Sequence, residues 1–185
     1  MTEYTEITDP RLQSRVRARY NDEIAALQAL GFRHLAFKLE ARGPFSAVSH
    51  LLILPLMRRA KEVLVFPFPL RLAAAYVLLV HSGPPSIASC MGLGIKFFTN
   101  LSDHSLLISS TLPSHVALQS LAVPEPNLQV VRLPPCRTPE EAWLFHKRRI
   151  TEMEALGKTT CNTSSFADYV EISRREEADL RSRTA

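Results

Sequence analysis

The sequence contains few residues with which a small protein could cross-link itself or build a metal centre. Its 185 residues include three cysteines, Cys90, Cys136 and Cys161, an odd number without paired spacing. This usage argues against a disulfide framework and for reduced thiols in a cytoplasmic setting. The six histidines form no pair at ligand spacing on one predicted helix, so we expect neither a metal nor a cofactor. A chain of this length can bury enough surface to fold without such staples.

A targeting segment and an unbroken membrane span are also missing. The N-terminus, MTEYTEITDPRL, is polar and acidic, unlike a signal peptide. A bilayer span needs about 20 consecutive apolar residues. Residues 47–57 are too few, and residues 63–80 are interrupted by Pro67, Pro69 and Arg71. We therefore predict a cytoplasmic protein and leave contact with a membrane surface open.

Neither a strong charge bias nor a nucleotide fingerprint is present. The basic residues number 22 and the acidic residues 18, and a net charge of +4 is too small to indicate nucleic acid binding by itself. Gly92 and Gly94 lie in an apolar run, but a phosphate-binding loop needs a third glycine and a following helix. Here a predicted strand follows, so a bulge or a close backbone approach is the better interpretation.

Three segments carry helix signals, each with a capping residue ahead of the predicted helix. The first predicts one helix over residues 10–30. The second predicts a helix that ends at Gly157 and has His146 on its apolar face and Arg149 toward water or at the edge of that face. The third predicts a charged helix at the end of the chain. The caps are Asp9 before Pro10, Thr138 with Glu141 in a capping box, and Ser165 with Asp168.

Between the first two helices, short apolar runs are separated by turn-forming residues. Residues 32–40 alternate, and we place Leu35, Phe37 and Leu39 toward the core, with Lys38 on the other face. The stretch 70–111 is typical of an antiparallel meander. Further strands are predicted over residues 62–68 and 128–133.

These elements predict the α+β class, with an N-terminal helix, a central antiparallel sheet built as a meander, and two C-terminal helices. We divide the chain into a flexible N-terminus over residues 1–8, a single α+β domain over residues 9–157, and a polar linker with a C-terminal helix over residues 158–185.

Four residues near the predicted turns are candidates for catalysis: His81, Cys90, Asp103 and His104. A histidine beside a carboxylate can act as a general base, and a cysteine with a histidine partner can act as a nucleophile. However, Asp103 also favours a turn, and a free cysteine is more often a small buried apolar residue. No hydrolase signature surrounds these residues. A hydrolase-like enzyme at the sheet turns is therefore our alternative hypothesis.

Residues 45–80 carry a large apolar excess that is broken by Pro55, Pro67 and Pro69. Such a segment can close the core, form a dimer interface, line a cleft for an apolar ligand, or contact a lipid surface. We predict a non-catalytic module that binds an apolar or amphipathic partner through this region: a second copy in a homodimer, another protein, or a small ligand. A peripheral membrane protein is a further alternative. The binding residues that we expect are Arg58, Arg59, Phe66, Phe68 and Arg71.

Overall fold

Eight strands and four helices are described in a computed structural model of the chain, which covers residues 3–41, 63–65, 72–91, 94–111, 128–132 and 138–182. The strands are β1 (Glu3–Glu6), β2 (Arg33–Ala41), β3 (Val63–Val65), β4 (Leu72–Ser82), β5 (Pro85–Met91), β6 (Gly94–Asn100), β7 (Leu106–Ser110) and β8 (Leu128–Arg132). The helices are α1 (Pro10–Arg19), α2 (Asn21–Ala29), α3 (Pro139–Ala155) and α4 (Phe166–Ser182).

The strands form one sheet in the order β1-β2-β4-β5-β6-β7-β8, which confirms the predicted α+β class. All neighbours from β1 to β7 are antiparallel, and β4 to β7 follow one another as the predicted meander. The last strand, β8, is parallel to β7. The short β3 pairs with residues 72–74 of β4. Residues 73 and 74 of β4 also pair with β2, so β3 lies along the edge of β4 opposite to β2. It therefore lies in line with β5.

Helices cover both faces of this sheet. We call them the α1–α3 face, where α1, α2 and α3 pack, and the α4 face, where α4 packs. Because both faces are covered, β5 and β7 are buried on both sides and have continuous rather than alternating burial. The proposed boundary at residue 157 separates α4 from the domain, whereas Tyr169 and Ile172 of α4 belong to the second apolar cluster of the core.

The N-terminal region differs from the prediction at two points. Residues 1–8 are predicted to be flexible, but Glu3–Glu6 pairs with β2 as β1. The predicted single helix over residues 10–30 is interrupted at Tyr20, which has φ −109° and ψ 22°. The side chain of Tyr20 is buried there, and its hydroxyl donates a hydrogen bond to the carbonyl oxygen of Ala75 at 3.0 Å. This contact with the sheet, which no local pattern reveals, accompanies the break.

A β-bulge in β2 changes which side chains face the core. The register with β4 shifts between His34 and Ala36, so Leu35 packs with the cluster on the α4 face instead of with Phe37. Lys38 also lies on the α4 face, as its alternation predicts. That face is covered by α4, and only 1% of Lys38 is exposed.

The helix caps are where the sequence predicts them. Thr138 Oγ1 accepts a hydrogen bond from the backbone N–H of Glu141, and the Glu141 carboxylate accepts one from the Thr138 N–H, both at 3.2 Å. Ser165 and Asp168 exchange an equivalent pair of bonds at the start of α4. The prediction for Arg149 is wrong, because this residue is buried against β7.

Candidate functional site

The most unusual group of side chains in the described structure surrounds Lys38, between the sheet and α4. Lys38 and Glu40 are two residues apart on β2 and therefore point to the same face. Tyr76 on β4 lies opposite Lys38 in the β2–β4 register, and Tyr4 and Tyr169 come from β1 and α4. We call these five residues the lysine cage.

The Lys38 ammonium group is enclosed by aromatic rings. Its Nζ atom lies 4.4 Å from the ring centroid of Tyr169, 4.6 Å from that of Tyr76 and 5.4 Å from that of Tyr4. All three distances are within the range of cation–π attraction. The same atom donates hydrogen bonds to the Tyr169 hydroxyl and, at 3.3 Å, to Glu40 Oε2. The cage thus supplies both charge pairing and ring contacts to a buried cation.

These contacts fix the protonation states of the cage. Burial alone would lower the pKa of Lys38, but Tyr169 and Glu40 outweigh it, so the pKa is raised and the amine stays charged. Burial, and then the negative charges of Glu40 and Glu177, raise the pKa of Tyr4. Tyr4 is therefore a neutral donor, and its hydroxyl donates to Glu177 Oε1 of α4 at 2.8 Å.

The lysine cage joins β1, at the edge of the described sheet, to β2, β4 and α4. A lysine beside a phenol and a carboxylate has the components of proton-transfer chemistry. Here, however, these groups are buried and bonded to one another, so their direct effect is to hold α4 and β1 against the sheet. Further contacts hold α4: Lys96 pairs with Glu176, and Arg175 donates to Asn100 Oδ1 at 3.0 Å and to the carbonyl oxygen of His104.

The lysine cage lies at one particular end of the sheet. Glu40 and Ala41 are the last residues of β2, and they lie opposite Ala74 and Ala73 at the start of β4. The chain therefore leaves this end after Ala41 and returns to it before Ala73. Residues 42–71, which include most of the apolar segment 45–80, are connected to the sheet here.

A second buried polar cluster lies on the α1–α3 face around His146 of α3. The imidazole is fully buried and stacks on Phe97, with ring centroids 5.6 Å apart. Its Nε2 atom is 2.9 Å from Thr99 Oγ1, and its Nδ1 atom is 2.8 Å from Ser109 Oγ. Arg149 donates to Ser109 Oγ at 3.0 Å and to the carbonyl oxygen of Ile108 at 2.5 Å. The histidine is thereby held between two strand hydroxyls.

Arg149 can only donate, so Ser109 Oγ accepts its hydrogen bond and still has one acceptor and one donor position for His146 Nδ1. Either tautomer of the imidazole therefore has a partner at both nitrogens, Ser109 at Nδ1 and Thr99 at Nε2. The Thr99 hydroxyl is in turn 2.7 Å from Ser86 Oγ. Burial, and secondarily the charge of Arg149, lower the pKa of His146 to about 3. A neutral imidazole that is paired at both nitrogens has no free nitrogen for a substrate. Its contacts with the strand hydroxyls instead stabilise the packing of α3 on the sheet.

The structure separates two of the predicted catalytic residues. Cys90 pairs with Val77, and His81 lies four residues further along β4, which is about 13 Å at the rise of a strand. A histidine at that distance cannot activate the thiol. The His81 ring instead contacts Phe32 and Trp143, and its Nδ1 accepts a hydrogen bond from the Gly83 N–H at 3.1 Å.

Asp103 and His104 lie in the turn between β6 and β7. Asp103 accepts hydrogen bonds from the Ser105 N–H and hydroxyl and pairs with Lys158 at 2.7 Å. The Lys158 and Ser105 contacts lower the pKa of Asp103. His104 is exposed, has φ 62°, and gives its carbonyl oxygen to Arg175. Both residues therefore shape the turn, and no described contact joins them to His81 or Cys90.

We expect Cys90 to be inert in the folded protein. It is completely buried, and burial followed by the charge of Glu23 raises the pKa of its thiol, so the reactive thiolate is disfavoured. In single-cysteine variants, a thiol reagent should label Cys90 only as fast as the protein opens, whereas the half-buried Cys161 should react sooner. Rapid native labelling of Cys90 would revive the enzyme hypothesis.

Several sequence predictions fall outside the described residues. These include the expected binding residues Arg58, Arg59, Phe66, Phe68 and Arg71, together with Cys136. Within the described ranges, no group of three or more metal-ligating side chains is assembled. No helix in those ranges is long and apolar enough to cross a membrane.

Sequence analysis missed the lysine cage and the buried Arg149. A signal for the cage does exist: Lys38 and Glu40 place opposite charges two residues apart, hence on one face of β2. Arg149 gives no comparable signal, since it stands beside Lys147 and Arg148, which are exposed. Its burial follows from where α3 meets β7.

Comparisons of the chain with protein-family models, with curated proteins and with solved structures found no match.

Proposed function

We propose that this protein is a non-catalytic α+β module that binds an apolar or amphipathic partner through residues 45–80. The observation that carries the proposal is the β2–β4 register, which brings Ala41 and Ala73 side by side at one end of the sheet. The intervening 31 residues thus leave the sheet and return to it at the same paired strand end. Within it, the described β3 returns to β4 for three residues only.

The contacts around this strand end support a role in which the sheet presents residues 42–71 to a partner. Lys38, three residues before Ala41, donates hydrogen bonds to Tyr169 of α4 and to Glu40 of its own strand. On the opposite face, the Tyr20 hydroxyl holds the carbonyl oxygen of Ala75. Lys38 is three residues from Ala41, and Ala75 is two residues from Ala73. Because both ends of the segment are held on the sheet, binding a partner does not incur the entropic cost of ordering those ends.

The composition of residues 42–71 gives the partner its chemistry. More than half of these residues are apolar, and four are proline. The charged residues are five basic and one acidic, so this segment holds an excess of four positive charges, equal to the net charge of the whole chain. An apolar segment that also contains several basic residues suits an amphipathic partner whose polar part is neutral or anionic. The charged residues are Arg42, Arg58, Arg59, Lys61, Glu62 and Arg71.

The buried polar clusters favour binding over catalysis. The candidate nucleophile Cys90 is distant from His81, and His146 is neutral and fully paired. Within the lysine cage, the charge of Lys38 is paired with that of Glu40. In the described part of the chain, the groups best suited to chemistry are therefore engaged in holding helices on the sheet.

A triple substitution of Leu51, Leu52 and Leu54 by asparagine tests the proposal. We expect the wild-type protein either to bind the neutral dye Nile red as a monomer or to sediment as a dimer, and the variant to lose that property. The free energy of unfolding should stay within about 0.5 kcal/mol per substitution, as for contact residues outside the core. Fluorescence, sedimentation velocity and urea denaturation are the measurements.

Leu144 and Leu156 provide the matched control, since both are exposed on or beside α3. Their replacement by asparagine should leave dye binding and sedimentation unchanged. The proposal is overturned if the wild-type protein is a monomer that binds no dye. It is equally overturned if the triple variant loses about 2–5 kcal/mol per leucine, because the segment would then be ordinary core.

A further inference from the structure

The two faces of the described sheet differ in the residues that the strands place beneath the helices. Beneath α4, β2 supplies Lys38 and Glu40, which are almost fully buried, and β6 supplies Lys96, which is partly buried. On the α1–α3 face, the same two strands supply Phe37 and Phe97 to the apolar cluster. A permanent core consists mainly of apolar groups, because burying a charge is costly. The α4 face is therefore closer in composition to an exchangeable interface, which is more polar than a permanent one.

The contacts of α4 with the sheet change along the helix. Tyr169 and Ile172 are buried in the second apolar cluster. One turn later, Arg175, Glu176 and Glu177 are only half-buried and are held by hydrogen bonds and an ion pair. Water can replace partners of this kind when they separate. The partners are Asn100 and the His104 carbonyl oxygen for Arg175, Lys96 for Glu176, and Tyr4 for Glu177.

Two buried hydroxyls in this region have no hydrogen-bond partner in the described part of the chain. Ser89 Oγ is on β5, where Ser89 shares the α4 face with Ile87 two residues earlier. Ser173 Oγ is on α4, four residues from both Tyr169 and Glu177, hence on the side of the helix that contacts the sheet. An unpaired buried hydroxyl raises the free energy of the closed state. The two surfaces are thus not fully complementary.

The segment before α4 fixes one end of the helix. It is bound to the turn between β6 and β7: the Ser102 N–H donates to the Thr159 carbonyl oxygen, and the Cys161 N–H donates to the Asn100 carbonyl oxygen, both at 2.8 Å. The helix begins five residues after Cys161. A helix that leaves the sheet therefore stays tethered close to the face that it covered.

We propose that the α4 face is a second binding surface, that α4 is its displaceable cover, and that the partner is an acidic amphipathic helix of another protein. The two lysines and the Tyr4 hydroxyl offer hydrogen-bond donors, so an occupant must supply acceptors, as α4 does with Tyr169, Glu176 and Glu177. The apolar cluster takes the apolar side of such a helix. The inference goes beyond the proposed function and does not depend on it, because this surface needs no contact from residues 42–71.

Native-state hydrogen exchange of the full chain, measured by mass spectrometry over increasing urea, tests whether α4 is displaceable. Amides of residues 169–178 should be about 100-fold less protected than those of residues 142–153 in α3, because α4 opens without global unfolding. Their protection should also depend less on urea, since opening of one helix exposes less surface than global unfolding. The inference is overturned if the two helices have the same protection and the same urea dependence.

A fluorescent peptide of residues 164–182, added to the full chain, tests whether the face binds a helix. The variant Glu176→Gln/Glu177→Gln loses two bonds that hold the internal cover, so its open fraction should rise at least about tenfold. Because apparent affinity follows the open fraction, the peptide should bind this variant at least about tenfold more tightly than it binds the wild type. The control Glu171→Gln/Arg174→Gln changes two exposed residues of α4 and should bind as the wild type does.

A second peptide identifies the chemistry that the face selects. When the peptide itself carries Glu176→Gln and Glu177→Gln, it should bind the variant about tenfold more weakly than the unchanged peptide does. The partner assignment is overturned if the variant binds both peptides equally or binds neither. It is also overturned if the variant sediments as a dimer, because the occupant would then be α4 of a second copy.

Discussion

Replacing Lys38 by methionine is expected to lower the free energy of unfolding by about 3–5 kcal/mol at neutral pH. The substitution removes the cation 3.3 Å from Glu40 Oε2, so the buried carboxylate loses its ion pair with Lys38. The pair is almost fully buried, with side-chain exposures of 2% for Lys38 and 8% for Glu40, so water cannot compensate. Urea denaturation followed by circular dichroism measures the effect.

Such a loss would be a large share of the total stability of a domain, which is about 5–15 kcal/mol. The double variant Lys38→Met/Glu40→Gln removes both charges and should recover much of it. Lys147→Met on the exposed face of α3 is the matched control and should change stability by no more than about 0.5 kcal/mol. If Lys38→Met lowers the free energy of unfolding by no more than this control does, the lysine cage does not support the fold.

Acidification is expected to destabilise the protein through His146. The unfolded chain binds a proton at this residue below about pH 6.5, whereas the folded chain does so only near the lowered pKa of about 3. Between these values the unfolded state holds more protons, so stability falls as the pH falls. The slope is about 1.4 kcal/mol per pH unit, which amounts to about 3 kcal/mol by pH 4. Denaturation midpoints between pH 7 and pH 4 measure it.

Two histidine variants identify the source of this slope. His146→Gln should be less stable than the wild type at pH 7, because the contacts to Thr99 and Ser109 are weakened, but its stability should depend much less on pH. His104→Asn alters an exposed turn residue in a conformation that asparagine tolerates, and it should keep the wild-type slope. An unchanged acid response in His146→Gln would mean that other groups cause it.

The sequence predicted best those features that short stretches determine. The caps at Asp9 and Thr138, and the end of a helix at Gly157, which has a positive φ, follow from a few neighbouring residues. The capping bonds and turn conformations depend on backbone groups within one helical turn. Such features need no knowledge of the remaining chain.

The missed features depend on contacts between distant elements. Tyr20 interrupts the first helix where its hydroxyl reaches Ala75, 55 residues away in the chain. Lys38 is buried because α4, more than 120 residues later, covers its face of the sheet. The parallel pairing of β8 with β7 likewise depends on the path of the chain between them. For the candidate site, the sequence supplied the apolar segment but not the strand end that carries it.

The contact between Tyr4 and Glu177 joins β1 near the start of the chain to a helix near its end. During synthesis on the ribosome, Tyr4 must therefore wait until the chain is 173 residues longer before its hydroxyl can reach this carboxylate. Until α4 emerges, the apolar face formed by Leu78, Ile87 and Phe98 lacks the cover that Tyr169 and Ile172 provide. A nascent chain of this protein, or one truncated before Phe166, is consequently the form that most needs a chaperone.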